Sequence, residues 1–124
     1  MTSALIYGGK TPPTVYANTE SWNGSAWTEV ADLNTARFEL AGAGASSGSA
    51  LAFAGEAPPG VVAVTEDWNG ASWSEVADLS TARDQLAGNG TLTSALASGG
   101  NTGSTSAATE EWSGSSTTIK VLTD

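Results

Sequence analysis

The 124 residues carry thirteen acidic and four basic side chains, a formal charge of −9, and include neither cysteine nor histidine. That charge repels phosphate backbones and anionic bilayers and argues against nucleic-acid binding, and the missing residue types remove disulfides, thiolate nucleophiles, most zinc sites and the commonest general base. No apolar run approaches the ~20 residues of a membrane span, and the start, MTSALIYGGKTPP, has neither the basic nor the long apolar region of a secretory leader.

Much of the hydrophobic content is alanine, fifteen residues are glycine and only one is methionine, a composition suited to strands and turns rather than long helices. In chain order, SALIYGG (Ser3–Gly9) predicts a first strand, followed by the loop Lys10–Asn18 and a strand ending at Trp22. The Asn23-Gly24 pair, able to take positive φ at both central positions, predicts a hairpin into AWTEV (Ala26–Val30). ARFELAGAG (Ala36–Gly44) then opens a fuller unit, continuing through SALAFAG (Ser49–Gly55), the loop Glu56–Val64, a strand ending at Trp68, Asn69-Gly70 and SWSEV (Ser72–Val76). ARDQLAGNG (Ala82–Gly90), SALASGG (Ser94–Gly100), the loop Asn101–Ala108, a strand ending at Trp112 and TTIKV (Thr117–Val121) repeat it.

The first two linkers with their flanks, TESWNGSAWTEVADLNTAR and TEDWNGASWSEVADLSTAR, agree at fourteen of nineteen positions. The TE-x-W element recurs after 46 and then 44 residues, a period that marks stacked supersecondary units. The chain therefore reads as one domain, 1–124, in pieces 3–33, 34–79 and 80–124, each built from strands a, b, c and d, with strand a missing from the first. LAGAG and LAGNG suit the strand nearest a crowded central axis, and Trp22, Trp27, Trp68, Trp73 and Trp112 are expected to dominate the core further out.

Gly8-Gly9, Trp22, Trp27 and Arg37, then Gly55, Trp68, Trp73 and Arg83, then Gly99-Gly100 and Trp112, form an ordered pattern that resembles the kelch repeat of β-propellers. The departures are Ala54 before Gly55, tryptophan in place of the usual tyrosine, and Thr117 where the third copy needs its second tryptophan. The low-complexity wording is also similar to that of kelch-like proteins of bacteriophages, marine ones especially. The resemblance implies an all-β fold of four-stranded antiparallel blades, about three of them. A ring takes four to eight blades, so three leave two open faces. Completion by oligomerisation or by another propeller chain is one expectation; a fragment of a longer propeller is the other.

The b–c and d–a loops should share one end of the ring, and Lys10, Tyr16, Glu56 and Asn101 are the candidate recognition residues there. Arg37 and Arg83 hold the same repeat position and read as structural, pairing with Glu29, Asp32, Glu75 or Asp78; Glu20, Glu66 and Glu110 read as scaffold. No catalytic, cofactor or metal constellation stands out: kelch-type oxidases bind copper through tyrosine and histidine, and there is no histidine here. The expected role is a non-catalytic structural or interaction module, a virion component on a capsid, tail or host surface. The alternative is a lectin-like propeller that binds surface glycans with its loop face. The corresponding location is the virion or an extracellular surface, otherwise the soluble cytoplasm.

Overall fold

The computed structural model describes residues 2–114 and 119–123, the last five as backbone alone. Blade 1 contains β1 (Ala4–Tyr7), the two-residue strands β2 (Lys10–Thr11) and β3 (Thr14–Val15), β4 (Thr19–Trp22) and β5 (Trp27–Val30). Blade 2 contains β6 (Ala41–Ser46), β7 (Ser49–Phe53), β8 (Glu56–Ala57), β9 (Gly60–Val61), β10 (Thr65–Trp68) and β11 (Trp73–Val76). Blade 3 contains β12 (Ala87–Thr91), β13 (Ser94–Ser98), β14 (Thr109–Trp112) and β15 (Ile119–Thr123). The sheets are antiparallel, in the order β1-β4-β5, then β6-β7-β10-β11, then β12-β13-β14-β15. The rhythm of three strands, four and four, with the first inner strand missing, matches the sequence reading. Thr117 lies outside the described residues.

Three local details differ from that reading. The c–d turn is a four-residue loop between the paired Trp22 and Trp27, not a two-residue turn. The Asn23 Oδ1 accepts the N–H groups of Ser25 at 2.9 Å and Ala26 at 3.0 Å, and only Gly24, at φ 99°, enters the positive region. Secondly, the inner strands start at Ala41 and Ala87, later than Ala36 and Ala82. Glu39 and Gln85 adopt φ of 54° and 53°, a left-handed kink that no strand can run through. Before each kink, Phe38 and Asp84 pair their backbones with Glu56 and Asn101. Thirdly, two of the b–c loops fold back as the small hairpins β2–β3 and β8–β9, with Pro12-Pro13 and Pro58-Pro59 at their turns.

Side chains alternate across each strand, so every blade offers one face to the blade before it and one to the blade after. Between blades 1 and 2, Leu5, Tyr7 and Val30 meet Ala50, Ala52, Trp68 and Trp73. Between blades 2 and 3, Leu51 and Phe53 meet Ala95, Ala97 and Trp112. Near the axis the small residues serve a close approach: a Cβ on Gly88 of β12 would stand 2.5 Å from the carbonyl oxygen of Gly42 on β6. Alanine there would push the two inner strands apart.

Candidate interaction site

The most repeated polar feature of the fold is a joint between blades. The linker leaving blade 1 is held on that blade's loops, since Leu33 N–H donates to Ala17 O at 2.9 Å and Gly9 N–H to Arg37 O at 2.9 Å. The Arg37 side chain then reaches forward into blade 2. Its two terminal nitrogens donate to Ala54 O (2.7 Å), Val64 O (2.6 Å), Ala52 O (3.3 Å) and the Glu66 Oε2 (3.0 Å). Arg83 repeats this in blade 3 with Gly99 O (2.8 Å), Ala108 O (2.8 Å), Ala97 O (3.2 Å) and Glu110 Oε2 (3.0 Å). Both arginines and both glutamates are essentially inaccessible to solvent. Burial pushes the Arg37 guanidinium below its ordinary range and the Glu66 charge pulls it back.

The other carboxylate oxygen is used as well. Glu66 Oε1 accepts the Asn34 N–H at 2.7 Å, and Glu110 Oε1 accepts the Ser80 N–H at 2.8 Å. One glutamate thus reads both the arginine and the backbone three residues before it. Both arginines are buried inside the fold, and their partners are not Glu29, Asp32, Glu75 or Asp78. Those acids flank the arginines along the chain, whereas the guanidinium crosses to the central c strand of the next blade.

Blade 1 has the glutamate without the arginine. By repeat position Ile6, Gly8, Asn18 and Glu20 correspond to Ala52, Ala54, Val64 and Glu66. These four line a cavity of about 520 Å³, together with Lys10 and Tyr16 among others. Among the described residues no side chain or backbone group bonds to the Glu20 carboxylate. A second cavity, of about 470 Å³, lies between β1, β6 and β12, on the edge of β1 where blade 1 has no inner strand.

The tryptophans split along the same line. Trp68, Trp73 and Trp112 are buried as expected, but Trp22 is only half-buried and Trp27 is 45% exposed, against 5% for its counterpart Trp73. The local pairing is the same in both blades: Trp22–Trp27 and Trp68–Trp73 each have ring centroids 5.4 Å apart and planes at 45°. What differs is cover. Trp73 lies edge-on to Tyr7 at 4.9 Å and donates its indole N–H to Thr19 Oγ1 at 3.0 Å, both on the preceding blade. No blade precedes blade 1 among the described residues.

A structural comparison gives this arrangement its place. No family model matches the chain, and no curated protein matches it. Among solved structures it is similar to one titled "Structure of YjhT", with a TM-score of 0.80 at 14% identity. The fold is β-propeller-like. The match covers 98% of this chain and 43% of that one, so the chain spans less than half of its length.

Of the residues singled out in the sequence, Lys10, Glu56 and Asn101 prove to hold one repeat position on three successive blades. Lys10 sits with its Nζ 4.2 Å from the centre of the Phe38 ring, and Tyr16 is 38% exposed beside it in the same cavity. Glu56 instead faces acids: one carboxylate oxygen from each of Glu39, Glu56 and Asp84 lies within 4.8 Å of the others. The Asp84 side chain is buried, and its Oδ1 has no partner among the described residues. Among the described residues, these three are the group that could hold a metal ion. The clustering was invisible in the sequence, where the acids are 17 and 28 residues apart.

Proposed function

We propose that the chain is a non-catalytic structural or interaction module that joins a larger assembly through its open blade faces. The observation that carries this reading is the exposure of Trp27, built into the same paired geometry as the buried Trp73 yet lacking the neighbour that covers it. The exposed Trp27 with its half-buried partner Trp22, and Ile6, itself 50% exposed, put apolar surface on the open face of blade 1, of the kind that associates. The kelch-like motifs and the phage-like wording of the repeats support a virion component, such as a capsid or tail decoration or a host-surface attachment protein. Native mass measurement with light scattering tests the assembly. The expected result is complexes above the 12.4 kDa of one chain; a stable, monodisperse monomer would sink it.

A lectin-like role is the second reading, favoured by the exposure of Tyr16 next to Lys10 in the loop cavity. Aromatic rings stack on sugars, so a glycan array followed by tryptophan fluorescence titration distinguishes the two. Saturable binding lost in Tyr16→Ala would support the lectin, and a blank array would leave the assembly module.

A further inference from the structure

We infer that the cavity on the open face of blade 1, walled by Ile6, Gly8, Asn18 and Glu20, is a socket for the arginine of a Thr-Ala-Arg linker supplied by a further blade outside this chain. The same incoming segment continues as the inner strand that blade 1 lacks. This rests on the assembly reading and names the chemistry of the partner.

Two filled copies of the socket define the occupant. In each, three carbonyl oxygens and one carboxylate oxygen surround a guanidinium, whose planar fork of donors no lysine can reproduce. Blade 1 presents the same set at the same repeat positions, with the Glu20 carboxylate unpaired among the described residues. The following residue is specified too. Phe38 and Asp84 each exchange two backbone hydrogen bonds with Glu56 and Asn101, and the residue at that repeat position on blade 1 is Lys10. A few residues on, the filled copies run into β6 and β12, and the second cavity opens along β1 where that strand would add.

A second copy of this chain is a poor donor. The chain has two arginines, and both are sealed in its own sockets. The donor is therefore a blade unit with a linker arginine to spare, reading Asn/Ser-Thr-Ala-Arg and then, after a short spacer, an alanine- and glycine-rich strand.

The probe is a synthetic peptide with the sequence of Ser80–Thr91, STARDQLAGNGT, titrated into the full chain and followed by calorimetry and amide NMR. The expected result is saturable binding, with the largest shifts at Gly8, Asn18 and Glu20. Replacing the peptide arginine by citrulline, which keeps the shape and removes the charge, should weaken binding about tenfold or more, as losing a charge-assisted hydrogen bond does. Glu20→Gln should weaken the arginine peptide comparably while leaving the circular dichroism unchanged. The inference is overturned by no binding, by equal binding of the citrulline peptide, or by shifts confined to other blades. It is also overturned if the chain alone self-associates in a way that Glu20→Gln abolishes, because a copy would then fill the socket. Should Glu20→Gln fail to fold, the citrulline comparison on the unaltered chain decides. A chain that self-assembles yet ignores the peptide refutes this inference and leaves the assembly reading intact.

Discussion

Tyr7 sits where blades 1 and 2 meet, its hydroxyl donating to Leu51 O at 2.8 Å and its ring against Trp73. Burial pushes its pKa from 10.0 up to about 12, with the Arg37 charge pulling the other way. The folded state therefore holds this proton more tightly than the unfolded chain does. The stabilisation is complete below about pH 10 and is lost as pH rises through about 12. Tyr7→Phe should remove this alkaline loss, at a cost near neutral pH of about 1 kcal/mol for the hydrogen bond. Denaturant melts across pH 9 to 12 on both forms, with phenolate absorbance alongside, check it; parallel alkaline curves would refute the assignment. Phe53 occupies the same repeat position in blade 2 and is buried, so the ring itself fits without its hydroxyl.

At the scale of an element, the c–d hairpin is one object used in two settings. Truncating Trp73 to alanine opens a cavity under Tyr7 and removes the indole bond to Thr19, and should cost about 3–5 kcal/mol. Trp27→Ala, on the uncovered hairpin, should cost about 1 kcal/mol or less in the isolated chain. Equilibrium unfolding of the two variants tests the contrast, and equal losses would mean that Trp27 is covered in solution. Nothing in the sequence could separate them, because W-N-G-x-x-W is written the same way twice and the difference lies in the neighbour. The strand order was legible, since four apolar segments recur at a fixed period with glycine-rich turns between them. The start of each inner strand was not: Glu39 and Gln85 take a left-handed conformation that glycine, not glutamate or glutamine, would have advertised. The arginine partners were hidden for a related reason. Glu29 and Glu75 are near along the chain, but Glu66 and Glu110 are the acids that the sheet carries to the guanidinium.

Across the whole molecule the two blade interfaces share a frame and differ in charge. At the first, Lys10 stands over Phe38; at the second, the corresponding Glu56 stands beside Asp84 with Glu39 close by. Clustered like charges oppose docking of blade 3, and none of the described ion pairs relieves them. Glu56→Lys should set a cation against Glu39 and Asp84 and stabilise the chain by about 1 kcal/mol, a rise of roughly 4 °C in Tm for a domain of this size. Thermal melts at low and high salt check this, and a fall in Tm at low salt would refute it.

The arginine joint also has a direction. In both filled copies the linker rests on one blade and its guanidinium enters the next, always the same way round the axis. Such a contact cannot be its own mirror partner. A twofold dimer joining two open blade 1 faces would bring Glu20 toward Glu20 and leave both sockets without an arginine. Assembly through this joint is necessarily heterologous, head to tail, and it ends by closing a ring or by meeting a cap; otherwise it grows as a filament. The small asymmetry of one side chain reaching forward thus limits the point groups open to the complete particle.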